Sequence, residues 1–507
     1  MYAKTLGATT MGVDGIIIDV ELDVSAGLPS FDIVGMANTM VKESKERVRT
    51  AIKNSGIKLN ADKVMVNLAP AGIRKDSSGL DLPIAIALLA AYNSFPEVNL
   101  EKYVFMAELS LDGECRSIPG VLPMVIKAKE IGATAVFVAQ ENANEACLVD
   151  GINVYGIANL AQLVGFLQGT AEMTPAQPEE FAIDTELTND FCDVQGQFTA
   201  KRAFEIAAAG GHNLIMGGSP GSGKTLFAKC LSSILPAMTP EEALEVTKIY
   251  SVAGLLKDNS GLITQRPFRS PHHTISSAAM IGGGSIPRPG EVTLSHNGVL
   301  FLDELPEFSK ATLECLRQPL EDGEVSISRV NATLRFPSRI ILIAALNPCP
   351  CGYYGDPDKE CTCSPMEIKR YNRKISGPLL DRIDIQLHVP RVSYQEITST
   401  KKAENSAHIR ARVVKARNIQ LQRFRGLNIF CNAQMNHAQI KKFCCLSPEA
   451  QTLLEQAFYS KNLSARSYDR IIKVAQTVAD LSNSAIIEAQ HIAEALQLRN
   501  DIFSSFE

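Results

Sequence analysis

Apolar and polar positions divide this chain into four stretches. In the first, Ile16-Ile17-Ile18-Asp19-Val20-Glu21-Leu22 and Val64-Met65-Val66-Asn67-Leu68 read as strands. Lys42 to Lys53 reads as an amphipathic helix with a basic outer face, and Asp81 to Ala91 as a largely apolar one. Tyr103-Val104-Phe105 and Ala135-Val136-Phe137-Val138 are further strands, with a helix from Val121 to Ile131 between them. Residues 1–167 therefore predict an α/β domain. Residues 168–190 predict a linker, because Thr174-Pro175-Ala176-Gln177-Pro178-Glu179-Glu180 is proline-rich, acidic and aperiodic. Between 191 and 390, apolar runs at Asn213–Met216, Gly298–Leu302, Arg339–Leu346 and Ile385–Val389 predict buried strands of a second α/β unit. Residues 391–507 read as helical. Ile409, Val413 and Ala416, with Ile419 or Gln420, make one stripe, and Leu463 and Gln490 open further helices.

Length supports this division, since 507 residues exceed what one core holds. The formal charge of −5 excludes no partner, because nucleic acid needs only a local basic surface. Met1 to Gly7 lacks the apolar core of a signal peptide. The longest apolar stretch, Leu82 to Tyr92, is too short to span a bilayer. The expectation is a cytoplasmic protein without a membrane partner, its twelve cysteines reduced.

The chemistry centres on Gly218-Ser219-Pro220-Gly221-Ser222-Gly223-Lys224-Thr225, between a strand and a helix. This is the context a P-loop requires. Its backbone N–H groups and the helix dipole favour phosphate. Lys224 would neutralise the β- and γ-phosphates of ATP, and Thr225 would ligate Mg²⁺. The run Val299-Leu300-Phe301-Leu302 ends in Asp303 and Glu304, where ligands of open parallel sheets sit. Asp303 would hold the Mg²⁺ shell, and Glu304 would polarise the attacking water. A third strand ends in Asn347, a neutral amide able to orient that water. Arg382, in Leu379-Leu380-Asp381-Arg382, stands just before a strand, where it could reach a neighbour's ATP. Val194 is placed either on adenine or in the core.

This ordered set resembles the AAA+ ATPases. The insertion Thr274 to Gly290 and the hairpin Glu324–Arg329/Thr333–Phe336, with Val330-Asn331-Ala332 at its tip, match the clade of magnesium-chelatase subunits, MoxR proteins and MCM helicases. There, resemblance implies, such loops face a central pore. Lys75 to Ala85, Glu108 to Arg116 and Pro119 to Pro123 look like the Lon-protease-type domain. The serine position of that family falls near Gly79 and its lysine at Pro123, so its Ser–Lys dyad is absent. Ala207 to Asn213, Arg269 to Thr274 and Asn347 to Gly352 narrow the likeness to the ComM/YifB family of magnesium-chelatase-like proteins.

The resemblance implies a Lon-like α+β domain, an AAA+ α/β core and a helical lid. It implies a homo-hexameric helicase that drives branch migration in recombination and natural transformation. Branched, single- and double-stranded DNA would be bound without sequence preference, with recombinase-type proteins as partners. It also implies that an arginine at the start of a lid helix meets the γ-phosphate. Arg466 fits that pattern better than Arg470. A metal-chelatase or MoxR-type remodeller is the alternative.

Two features stand apart. Cys349-Pro350-Cys351 and Cys361-Thr362-Cys363 could complete a tetrahedral Zn²⁺ shell, remain free thiols or form disulfides. His272 and His273 are alternative ligands or contacts to backbone or DNA phosphate. His408 to Gly426 carries Arg410, Arg412, Lys415, Arg417, Arg423 and Arg425 without an acid. That stretch reads as a solvated face, or as a contact to DNA phosphate or to a neighbour's acids.

Overall fold

The structure, a computed structural model, describes every residue except 76, 97, 178–188, 257–260, 285–286, 330–331, 357, 392–402, 462 and 500–507. The end of the expected linker, part of the Thr274–Gly290 insertion and the tip of the expected hairpin lie outside the described residues.

Strands β1 (Tyr2–Met11), β2 (Asp14–Ser25), β3 (Ser30–Val34), β4 (Lys63–Ala69), β5 (Tyr103–Met106), β6 (Ala135–Ala139) and β7 (Asn153–Ile157) form one mixed sheet. Their order is β3-β4-β2-β1-β5-β6-β7. The sequence reading had no strand at β1, whose residues show weak alternation. Its register is set by an antiparallel ladder to β2, from Tyr2↔Asp23 to Met11↔Asp14. Helix α1 (Thr39–Asn54) lies beside α2 (Asp81–Ala91), which is apolar on nearly all sides because it is buried on nearly all sides. A Cβ at Gly7 would come within 2.9 Å of Leu80 and Pro83, so β1 and α2 pack closely only with glycine there. Arg47 Nε reaches the fully buried Asp81 carboxylate at 2.7 Å.

At Gly79, a Cβ would meet Ile118 at 2.5 Å. Ser77 Oγ accepts the Gly79 N–H at 3.1 Å and so caps a turn. Pro123 is buried inside α3 (Val121–Glu130).

The second unit begins with α4 (Phe198–Gly210), β8 (Leu214–Gly217), α5 (Lys224–Ile234) and α6 (Pro240–Ala253). Strands β9 (Phe268–Arg269) and β10 (Val299–Leu302) follow. The antiparallel hairpin of β11 (Glu324–Arg329) and β12 (Ala332–Pro337) precedes β13 (Ile341–Leu346) and β14 (Ile385–His388). The order β9-β10-β13-β8-β14 is parallel throughout, so all its strand C-termini share one edge. The insertion contains a short helix, Ser277–Ile281, and a two-residue ladder of Gly282–Gly283 with Arg288–Pro289. The first unit docks on α6. Gly120 N–H donates to Ser251 O at 3.0 Å. The buried Glu145 carboxylate accepts from the Ser251 hydroxyl and the Leu122 N–H.

Helices α7 (Ser406–Arg423), α8 (His437–Phe443), α9 (Pro448–Ser460), α10 (Ala465–Leu481) and α11 (Ala489–Gln497) make the C-terminal bundle. The α7 stripe runs through Ile409, Val413, Ala416 and Gln420, so Gln420 rather than Ile419 faces inward. Its amide is satisfied at both ends, donating to Ala209 O and accepting from Asn432 N–H. The basic stretch is not one solvated face. Arg412 pairs with Glu205 and Glu404, Arg417 donates to Ala208 O at 2.8 Å, and Arg423 pairs with the buried Asp480. Lys415 and Arg425 remain exposed.

Candidate active site

The parallel sheet delivers its polar residues to one edge. Gly217 of β8 lies beside Leu346 of β13, and Leu302 of β10 beside Ala344. The P-loop, Asp303-Glu304 and Asn347 therefore emerge side by side. Gly221 and Gly223 adopt φ of +81° and +88°, which L side chains rarely adopt, and no atom beyond the adjoining residues lies within 4 Å of a Cβ built on either. The loop thus keeps an open concave face leading into the N-terminus of α5, as a polyphosphate requires.

Lys224 is 8% exposed. Its Nζ donates to Gly218 O at 2.6 Å, Ser219 O at 3.0 Å and Asn347 Oδ1 at 3.3 Å. Burial lowers its pKa to about 8, against the upward pull of Asp303 and Glu304. His388, at the end of β14, is held below the usual imidazole range by burial and then by Lys224. Below pH 8 the ammonium is already present and affinity for ATP should be flat. Above it, binding must take up a proton, and affinity should fall by up to about ten-fold per pH unit. Titrating ATP affinity from about pH 7 to about pH 9.5 checks this, and Lys224→Arg, always charged, should flatten the upper limb.

Thr225 Oγ1 donates to Asp303 Oδ2 at 2.9 Å, and Glu304 N–H donates to Asp303 Oδ1 at 3.0 Å. A hydroxyl and a carboxylate in contact beside the phosphate cradle suit an octahedral Mg²⁺ that keeps several waters. Glu304 sits in the left-handed region, at φ 52° and ψ 50°. This turns its side chain out of line with the strand and leaves it half exposed. His273 Nδ1 stands 3.9 Å from Glu304 Oε2. His272 instead meets Thr274 at 3.0 Å, and neither histidine belongs to the cysteine cluster. Val194 is buried in the main core.

The two arginines lie elsewhere. β8 and β14 pair Leu214↔Ile385 through Gly217↔His388, so Arg382 is at the opposite end of the sheet from its own P-loop, at least about 10 Å of strand away. Its guanidinium donates to Arg317 O at 3.0 Å and Pro378 O at 2.7 Å and pairs with Glu321. Arg466 stands 3.7 Å from the same Glu321 carboxylate and is exposed. Both line a cavity of about 650 Å³ between the sheet and the helical bundle. Arg470 is locked differently. It pairs with the buried Asp384, which also meets His212 Nδ1 at 3.2 Å. Burial alone would raise the Asp384 pKa, but Arg470 and His212 hold it below the usual carboxylate range. His212 Nε2 then reaches Thr477 at 2.7 Å, so this network ties β14 to α10.

Cys349, Cys351, Cys361 and Cys363 bring their sulfurs within 4.8 Å of one another. The sulfurs of Cys349 and Cys351 are 3.3 Å apart, and that of Cys361 is 3.6 Å from each of these. Those distances are far from a disulfide bond. They are close to the roughly 3.8 Å edge of a tetrahedron with Zn–S near 2.3 Å.

Residues 190–397 match the family described as magnesium chelatase, subunit ChlI. Residues 20–142 match subunit ChlI of Mg-chelatase, and 403–499 match the subunit ChlI C-terminal family. The chain is 42% identical over 497 residues to the competence protein ComM of Haemophilus influenzae, covering 97% of this chain and 96% of that one. The chain belongs to the ComM/YifB family. The Escherichia coli member YifB is also 42% identical, over 490 residues, covering 96% and 95%. The Lon-like part is supported separately. Lon protease 2 of Bacillus subtilis is 27% identical over 168 residues, 30% of each chain. Membership in this magnesium-chelatase-type AAA+ family implies an ATPase that uses ATP and Mg²⁺. No helix among the described residues is long and apolar enough to cross a membrane.

Sequence reasoning placed Lys224, Thr225, Asp303, Glu304 and Asn347, and the structure brings these together. It brings Arg382 and Arg466 together at the other end of the sheet. Sequence reasoning missed Glu321, which joins the two arginines, and the place of His273 beside Glu304. No local motif marks either contact.

Proposed function

We propose that this ComM/YifB-family chain is an ATP-driven motor that moves branched DNA through a homo-hexameric ring. It would drive branch migration of recombination intermediates in homologous recombination and natural transformation. The observation that carries the reading is the separation of Arg382 and Arg466 from their own P-loop. A site with two cations on one face and its phosphate loop on another is completed by a second copy. The name of the Haemophilus relative, a competence protein, supports the setting.

In this reading Lys224 and the P-loop amides hold the phosphates of ATP. Asn347 fixes Lys224 and aligns the water, and Glu304 accepts the water's proton. Mg²⁺, when held by Thr225 and Asp303, supplies charge neutralisation at the phosphates. Arg382 and Arg466 of the neighbouring copy leave Glu321 for the γ-phosphate, so cleavage returns them and relaxes the interface. The hairpin β11–β12 and the insertion carry the strand. The four-cysteine cluster is a structural Zn²⁺ site.

Purified protein should show ATPase stimulated by forked and four-way DNA of any sequence, falling steeply with salt. It should also migrate a four-way junction in a gel assay. An ATPase indifferent to every DNA form, yet stimulated by a protein substrate or a porphyrin partner, would replace the motor with a MoxR-type or chelatase-type remodeller.

A further inference from the structure

The cysteine segment touches the P-loop at more than one point. Asn347, two residues before Cys349, holds the Lys224 ammonium at 3.3 Å. Gly352, at φ +87°, lies so close to the P-loop that a Cβ would stand 2.6 Å from Pro220 Cγ. Asp356, its side chain fully buried, pairs with Arg391 Nε at 3.4 Å and faces Ser219. The hydrogen bond from Ser219 helps hold that carboxyl below its usual range. Asp356 Oδ2 makes the Arg391 ion pair but no hydrogen bond of its own.

Short turns also shape this segment: Asp356 N–H donates to Tyr353 O at 3.1 Å, and Asp356 Oδ1 accepts from the Asp358 and Lys359 N–H groups at 3.0 and 3.1 Å. Tyr353 is covered by Lys359 at 4.9 Å and Arg391 at 5.7 Å, contacts that water can replace. The backbone N–H groups of Cys351 and Cys363 donate to the sulfurs of Cys363 and Cys361, at 3.4 Å each. Four sulfurs within 4.8 Å of one another are the donor set and spacing of a tetrahedral Zn²⁺ site. The four sulfurs close both ends of the loop that carries Gly352 and Asp356, so what fills the cluster bears on their contacts with Pro220 and Ser219.

We propose that Zn²⁺ held by Cys349, Cys351, Cys361 and Cys363 latches the P-loop in its phosphate-receiving form, so that zinc occupancy controls nucleotide affinity. This rests on the readings of the P-loop as the ATP site and of the cluster as a zinc site. Release of the metal frees Gly352 and Asp356 from Pro220 and Ser219. It also loosens Asn347 through the two-residue link to Cys349.

The test uses the full chain. Metal analysis should find about one Zn²⁺ per chain. Removing it with a chelator should weaken binding of a fluorescent ATP analogue about ten-fold or more, and returning Zn²⁺ should restore it. Gly352→Ala should retain zinc yet weaken nucleotide binding similarly, because the added methyl displaces Pro220. That variant carries the test if the metal-free chain unfolds by circular dichroism. Asp356→Ala should behave in the same way. Unchanged affinity in zinc-free, folded protein and in Gly352→Ala would overturn the latch while leaving the zinc site intact. Protein isolated without zinc, and unable to take it up, would overturn it at its first step. Zinc-loaded protein that fails to bind nucleotide would instead remove the ATPase reading beneath it.

Discussion

Replacing Glu304 by Gln should leave ATP binding near its wild-type strength and lower turnover by about 10²- to 10⁴-fold, the range a positioned general base supplies. The geometry separates the two effects. Asp303 is the residue tied to the position proposed for Mg²⁺, through Thr225 at 2.9 Å and the Glu304 backbone N–H at 3.0 Å. The Glu304 side chain takes no part in either bond. It projects from a left-handed backbone into half-exposed space, with His273 as its near neighbour at 3.9 Å. Glutamine keeps the shape and the backbone contact but loses the proton acceptor. Asp303→Asn should differ by weakening Mg²⁺-dependent binding as well. Binding by a fluorescent analogue and turnover by phosphate release, measured on the same preparation, decide the matter. Wild-type turnover in Glu304→Gln would transfer the base role elsewhere, with His273 the first residue to substitute.

The P-loop and the Asp303-Glu304 pair were legible in the sequence because each is local. A strand, a glycine-rich turn and a helix lie within a few residues of each other, and the acids terminate an apolar run. Helix α2 was legible for a related reason, since only a helix buried nearly all round can be apolar nearly all round. Strand β1 was not, because small residues and threonines carry little periodic signal. Its place comes from the ladder to β2 and from α2 pressing on Gly7. The basic stretch on α7 misled for a physical reason. Composition reports charge but not partners, and the partners of Arg412, Arg417 and Arg423 come from α4 and α10 as well as from Glu404. Glu321 was invisible in the same way, lying 61 residues from Arg382 in the chain. The cysteine pairs announced a cluster. That their loop leans on Ser219 and Pro220 could be read only in three dimensions.

Arg382→Ala should lower turnover by about 10³- to 10⁵-fold, the span measured for arginines that reach into a phosphoryl-transfer site. Its position makes the loss diagnostic. Arg382 precedes β14, at the end of the sheet away from the phosphate loop, so it cannot touch its own chain's γ-phosphate. A chain carrying Arg382→Ala still has an intact P-loop, and one carrying Lys224→Ala still has an intact arginine. Mixed one to one, each inactive alone, they should recover about a quarter of wild-type activity, since that share of head-to-tail interfaces pairs the two good halves. Arg466→Ala should complement Lys224→Ala in the same way with a smaller single-variant loss, because its guanidinium lies exposed on the surface, 3.7 Å from Glu321. Glu321→Gln removes the carboxylate that competes with phosphate for both guanidinia, and should raise affinity between copies in the presence of ATP. If the mixture stays as silent as its components while each variant still assembles by light scattering, the arginines serve their own chain. The face that gathers Arg382, Arg466 and Glu321 would then be a structural joint between sheet and bundle.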